Sequence, residues 1–195
     1  MLDIRPLTPE RWEDFAQICR QMGPNRSCWC MWWRDEGTKS TSSARERAKE
    51  LIEGSKRPPG LIAYRDGEPV GWAALGPRED YPRLQRGRDT GPIDERAGVW
   101  AVPCFFVCEN QRGQGIAKGL LRAAVELAAT HGASAIEGVP RDPAVRRRSA
   151  SSSYTGTTGM FAELQFVEIR RRKPEARVLM RRELQAVGGQ GANGE

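Results

Sequence analysis

The 195-residue sequence has no apolar run approaching the ~18 residues that a membrane-spanning helix needs, which excludes such a helix and a membrane partner. Its first fifteen residues carry acidic side chains and lack the apolar stretch of a secretory signal, so we expect a cytoplasmic protein. Apolar residues are only 38% of the chain, but six Trp and five Phe exclude disorder throughout. The length predicts one domain over residues 1–184 and a disordered glycine-rich tail over 185–195.

The usual soft metal ligands are also few, with five cysteines and one histidine, His131. The odd number of cysteines and their spacing do not fit a secreted disulfide framework. Cys28-x-Cys30 and Cys104-x-x-x-Cys108 could in number supply four zinc ligands, but the spacing is not C-x-x-C and the neighbours are Trp, Met and Phe. We therefore expect buried free thiols and no bound metal.

The net charge is +6, from 31 Lys and Arg against 25 Asp and Glu. Much of the excess lies in short arginine clusters at 146–148, 170–172 and 181–182. Such clusters fit a nucleic-acid binder, an enzyme that holds a phosphorylated cofactor, or an ordinary solvated surface. The solvated surface is the simplest interpretation, and nucleic acid is not the expected partner.

The hydrophobic pattern predicts a chain of alternating strands and helices. Expected strands cover 3–7, 61–64, 70–75, 99–107, 134–139, 166–172 and 176–184, and expected helices begin near Thr8 and Ser42 and cover 116–130 and 154–164. The nearly continuous apolar run Val99–Val107 is typical of a central strand covered on both faces. Pro103 within it predicts a bulge or a missing ladder donor.

A glycine-rich turn stands between this strand and the helix at 116–130. It reads Arg112-Gly113-Gln114-Gly115-Ile116-Ala117. Small residues allow close backbone approach, and the free N–H groups and dipole of a helix N-terminus attract an anion such as a diphosphate. The turn is not G-x-x-x-x-G-K-[ST], and Lys118 replaces the third glycine of G-x-G-x-x-G. The alternative is a strand–loop–helix cap with incidental glycines.

Val107, five residues before the R-G-Q-G-I-A that begins at Arg112, and the Leu120–Leu121 helix after it resemble the acyl-CoA signature R/Q-x-x-G-x-G/A of the GNAT N-acetyltransferase superfamily. The order of elements around the turn is similar too, and Met160–Phe166 resembles a later helix end of the family, with Gln165 in place of its usual glycine. The resemblance covers residues 1–184.

The resemblance implies an α/β fold, with a mixed, mostly antiparallel sheet splayed at the central strand and helices on both faces. Acetyl-CoA would be the donor, with pantetheine in the split and the diphosphate on the turn. The residues implied in binding it are Phe106, Val107, Cys108, Arg112, Gly113, Gln114, Gly115, Ile116, Ala117 and Lys118.

The family's usual proton-transfer groups are missing from their positions. The positions that often carry a base are Ala101 and Pro103, and the usual acidic tyrosine falls at Phe161. Tyr154 is the replacement acid we predict, because two helical turns would bring it to the same face as Phe161. Its alternative is a pocket wall. Glu137 is the predicted base, and its alternatives are an arginine partner and a water chain.

The acceptor pocket of this fold would lie among the early helices and two loops. Trp29, Trp32, Trp33 and Trp100 predict an aromatic wall suited to a hydrophobic or cationic acceptor, or else core packing. The expected activity is transfer of an acetyl group to a primary amine of a small molecule or peptide, in a chain that could form a homodimer as family members often do. The alternative is an inactive CoA-binding sensor of the same fold.

Overall fold

The computed structural model describes residues 1–22, 27–35, 43–145 and 154–185. Within these ranges seven strands form one sheet in the order β1-β2-β3-β4-β5-β7-β6. They are β1 (Leu2–Pro6), β2 (Gly60–Arg65), β3 (Glu68–Pro77), β4 (Val99–Val107), β5 (Ala135–Gly138), β6 (Val167–Arg170) and β7 (Leu179–Glu183). All neighbours are antiparallel except β4 and β5, which are parallel. The predicted mixed sheet is confirmed.

Helices cover both faces of the sheet. They are α1 (Trp12–Arg20), α2 (Ala44–Gly54), α3 (Pro82–Arg86), α4 (Ile116–Thr130) and α5 (Thr158–Ala162). Alternation along β2 sends Leu61 and Ala63 into the cluster under α4, and Ile62 and Tyr64 into the cluster under α1. Two separate apolar clusters therefore fix the two helical layers.

The starts of the first two helices differ slightly from the prediction. Thr8 does not cap a helix with its side chain, because a 3-10 turn (Pro9–Arg11) comes first and the Thr8 hydroxyl accepts a bond from the Arg11 side chain at 2.9 Å. Helix α2 begins after Ser43, whose hydroxyl accepts from the N–H of Glu46 while the Glu46 carboxylate accepts from the Ser43 N–H. This reciprocal cap fixes the start of α2.

The sheet opens between its two parallel strands. Only Val99–Ala101 pairs with Ala135–Glu137, and β4 then continues without β5 beside it. On that open edge the N–H of Phe105 donates to the carbonyl of Tyr154 at 2.5 Å. Pro103, two residues earlier, turns its nitrogen to the same edge, where a missing N–H costs no ladder bond. The predicted splay at the central strand is confirmed, and it accounts for the proline.

Several predicted segments change length. The predicted helix 154–164 is only α5, because Tyr154 and its neighbours form a turn, and the predicted loop 76–98 contains α3. The predicted ending of α1 at 23–25, the arginine cluster 146–148 and residues 186–195 of the predicted tail lie outside the described residues. The extent of the domain, 1–184, remains a prediction.

Candidate active site

The turn before α4 is open and shaped by two glycines. Gly113 and Gly115 have φ angles of +75° and +78°, and a methyl group added at either would meet no protein atom within 4 Å. The carbonyl of Gly115 accepts from Gly119 at 2.9 Å, so the N–H groups of Ile116 to Lys118 precede the first bonded amide of α4. These donors and the helix dipole make the turn an anion site.

A groove of about 240 Å³ runs from this turn along the open edge of β4. Eight of the ten predicted binding residues line it, namely Phe106, Val107, Arg112, Gly113, Gly115, Ile116, Ala117 and Lys118. Four residues outside the predicted set also line it, Phe105, Gln111, Gly156 and Met160. Gly156 and Met160 come from the segment around α5, which packing rather than chain neighbourhood brings to the groove.

Two predicted binding residues lie elsewhere. Cys108 donates its N–H to the carbonyl of Val70 on β3 at 2.9 Å, and its buried thiol packs in the cluster under α1. Cys108 does not line the groove, although Phe106 on the same strand face does, and its role as a pantetheine contact stays a prediction. The exposed side chain of Gln114 accepts a bond from Arg65 outside the groove.

The cations around the turn are partly engaged with protein atoms. Lys118 forms an ion pair with Glu163, which offsets part of its charge toward a phosphate. Arg112 donates from Nε to the carbonyl of Val107 at 3.1 Å, which ties the turn to the end of β4. Arg65, at the end of β2, donates to Gln111 at 3.0 Å and is a cation beside the turn that sequence analysis missed.

A second cavity, of about 550 Å³, adjoins the groove and shares Phe106 and Tyr154 with it. Tyr154 therefore stands between the two spaces, as the prediction of a site residue requires. Tyr154 lies in a turn that a backbone hydrogen bond to β4 holds, and not on the helix that the sequence predicted. Phe161, which occupies the position of the family's usual acidic tyrosine, is fully buried against Phe105 and Phe166.

Three cysteines line the second cavity, Cys28, Cys30 and Cys104. A hydrogen bond with Cys104 and burial raise the pKa of the Cys30 thiol, and burial raises the pKa of Cys19 nearby. All five cysteines are free. Within the described ranges no three His, Cys, Asp or Glu side chains are grouped so as to hold a metal ion.

Only two of the four predicted wall tryptophans line this cavity, Trp32 and Trp33. Trp29 stacks on a neighbouring indole with 5.7 Å between ring centroids, and Trp100 stacks on His131 at 5.3 Å beneath α4. The ring of Trp32 lies 3.9 Å from the guanidinium of Arg83, so that face already has a cation. Trp32 and Trp33 therefore fit the aromatic wall, and Trp29 and Trp100 fit the alternative of core packing.

Glu137 lies outside both spaces and is fully buried. Its Oε1 accepts from Arg181 at 2.6 and 2.9 Å and lies 3.5 Å from Arg78. Asp94 also faces Arg181, at 2.6 Å. The structure supports the arginine-partner interpretation rather than the base, because the carboxylate is closed off and its charge compensates buried guanidinium groups.

Asp35 is the single carboxylate among the described residues that line the second cavity. Its Oδ2 lies 3.5 Å from Arg83. The sequence offered no signal for it beyond its position just after the tryptophan pair.

The arginine clusters in the described ranges bind protein atoms. Arg170 donates to the carbonyl of Gly91, Arg171 pairs with Asp142 and Glu168, and Arg182 donates to the carbonyl of Leu164. These internal bonds account for the clusters without a nucleic acid.

A sheet parted at a parallel strand pair, with an open glycine turn and helix N-terminus at the opening, is the architecture of the acetyltransferase (GNAT) fold. The chain belongs to the acetyltransferase (GNAT) family, whose model matches residues 9–147. Comparison with curated protein sequences gives no match. None of the helices within the described ranges is long and apolar enough to cross a bilayer.

Solved structures show the same fold. A GCN5-related N-acetyltransferase from Kribbella flavida is 16% identical, with 94% of this chain and 98% of that chain covered and a TM-score of 0.57. Aminoglycoside acetyltransferase AAC(6')-Ib in complex with coenzyme A is 19% identical, with 95% and 96% covered and a TM-score of 0.57. Ard1 from Thermoplasma volcanium is 13% identical, with 94% and 98% covered and a TM-score of 0.55.

Proposed function

We propose that the protein is an acetyl-CoA-dependent N-acetyltransferase that acetylates a primary amine of a small molecule or peptide directly. The observation that carries the proposal is the continuity of an open glycine turn, a groove along β4 and a second cavity, joined at Tyr154. AAC(6')-Ib, a structural neighbour, was solved with coenzyme A, which supports the same ligand class here.

The turn and the open strand edge fit the donor. The free amides at the start of α4 would bind the diphosphate, and the space above Gly113 and Gly115 admits its close approach. Beyond Ala101, β4 has no β5 partner, and because the N–H of Phe105 already donates to Tyr154, the strand end near Val107 would bind the amides of pantetheine. When bound, acetyl-CoA supplies the thioester whose acetyl group is transferred.

The second cavity would favour the neutral amine that attack requires. Most of its lining is apolar, including Met22, Met31 and Phe106, and Arg47 and Arg177 add positive charge. Desolvation and like charge both lower the pKa of an ammonium group. A buried carboxylate base is therefore unnecessary, and Asp35 or water would accept the proton lost as the C–N bond forms.

Tyr154 would act as the acid. It borders both the donor groove and the acceptor cavity, so a hydroxyl there can reach the sulfur that leaves as the C–S bond breaks. Donation of its proton to that sulfur would complete the transfer.

Thiol release from acetyl-CoA in the presence of an amine panel tests the proposal, with acetyl-CoA binding measured in parallel by calorimetry. We expect binding together with amine-dependent thiol release. Acetyl-CoA binding without thiol release on any amine would favour the inactive sensor. The burial of Glu137 outside both cavities is the observation that favours this alternative. Absence of binding would overturn both.

A further inference from the structure

A third cavity continues from the second. It has a volume of about 810 Å³ and shares Trp32, Trp33 and Arg177 with the acceptor cavity. The acceptor cavity therefore adjoins the donor groove at Tyr154 and the third cavity at the tryptophan pair. A molecule whose amine reaches Tyr154 would extend into this third space.

The third cavity is strongly basic. Six cationic side chains line it, Arg83, Arg86, Arg88, Arg141, Lys173 and Arg177, against two acidic ones, Asp89 and Glu175. The acceptor cavity adds one further cation, Arg47, and one further acid, Asp35. We call the lining of the third cavity the basic groove. Its excess of positive charge is concentrated where the remainder of an acceptor would lie.

Several of these cations are held in place. Arg83 donates to the carbonyl of Asp35 at 3.0 Å and lies over Trp32, and Arg177 donates to the Thr155 hydroxyl at 3.0 Å. Arg141 donates to the carbonyl of Glu175 at 3.1 Å. These bonds hold the guanidinium groups in place, and Arg83 also pairs with the Asp35 carboxylate at 3.5 Å, so little order is lost when a carboxylate binds.

On the basis of the proposed function, we propose that the acceptor is an acidic peptide, whose amine enters the acceptor cavity while its following Asp or Glu side chains lie in the basic groove. Guanidinium forks match carboxylates in geometry and charge, and a polycationic acceptor would be repelled. The two connected cavities together exceed the ~300–1,000 Å³ typical of a small-molecule site, which favours a peptide.

Matched peptides with one free amine test the charge preference. Three versions of one sequence would carry Glu and Asp, Gln and Asn, or Arg after the residue that bears the amine, and phosphoethanolamine and glutamate serve as small acidic amines. Because each exposed ion pair is worth up to roughly fivefold in affinity, we expect the acidic peptide to have a roughly 10- to 100-fold higher kcat/KM than the amide version. Added salt should reduce the difference.

A charge-reversal pair tests the location. Arg88→Glu with Lys173→Glu changes two exposed lining residues, and Arg20→Glu with Lys56→Glu makes the same charge change at exposed positions outside the basic groove. We expect the first pair to lose most of the acidic preference and to favour the arginine peptide, and the control pair to keep the preference. Acetyl-CoA binding by both pairs would verify folding.

Acetylation of the neutral or arginine peptide as fast as the acidic one would overturn the inference and leave acetyl transfer intact. So would a small acidic amine that matches the acidic peptide, or equal behaviour of the two charge-reversal pairs. Failure of every amine to release thiol would instead remove the proposed function and this inference with it.

Discussion

The sharpest test of the donor site compares two glycines at opposite ends of one helix. Gly115 precedes α4 with φ +78°, and Gly132 follows it with φ +73°. A methyl group at either position would meet no protein atom within 4 Å, so alanine is strained at both by the backbone alone. Only Gly115 faces the groove, which makes Gly132→Ala a matched control for Gly115→Ala.

The expected effects separate folding from binding. A left-handed alanine costs about 1–2 kcal/mol, so each variant should lower the Tm by about 2–8 °C for a chain of this size. At Gly115 the methyl group would also occupy the space that a diphosphate needs to reach the amides of α4. Loss of one hydrogen bond to a charged group costs about 1.5–3 kcal/mol, which weakens acetyl-CoA binding roughly 10- to 100-fold.

Calorimetric titration with acetyl-CoA and thermal melts of the free proteins provide the measurements. We expect similar Tm losses in both variants and a raised Kd in Gly115→Ala alone. If the two variants bind acetyl-CoA as tightly as the unaltered protein, the turn before α4 does not hold the diphosphate and the assignment of the groove fails.

Four other outcomes are expected. Tyr154→Phe should reduce kcat by about 10²–10⁴-fold with acetyl-CoA affinity retained, and unchanged kcat would remove its role as acid. Glu137→Gln should lower the free energy of unfolding by about 3 kcal/mol in denaturant titrations, because it leaves a buried arginine pair undercompensated, and a loss of turnover without destabilisation would restore it as a base. Gln165→Gly should raise the Tm by about 2–4 °C, because Gln165 has a φ of +65°, and a lowered Tm would contradict this. At pH 8 the thiol of Cys30 should resist alkylation in the native state and react on unfolding, because its hydrogen bond with Cys104 and its burial keep its pKa raised, and rapid native labelling would count against this.

The donor turn could be read from the sequence because its physics is local. Arg112 to Ala117 are consecutive, and a strand, two glycines and a helix start suffice to place free amides at one point. The same holds for the central strand, whose apolar run predicted burial on both faces, and for Pro103, which predicted a bulge or a missing ladder donor and lies opposite a register shift between β3 and β4. The sequence also shows Gln165 in place of the family's usual glycine, and the backbone there keeps the left-handed conformation that a glycine would take.

Which side chains converge on the acceptor depended on the tertiary structure. Tyr154 reached the junction through a backbone bond to Phe105, a contact across 49 residues that no periodicity encodes. Glu137 met Arg181 only because β7 pairs beside β5, and that pairing turned a candidate base into a buried counterion. Sequence thus determined the elements and the anion turn, because these depend on neighbouring residues. The fold alone decided the acceptor cavity and the basic groove, because their walls come from distant segments that packing brings together.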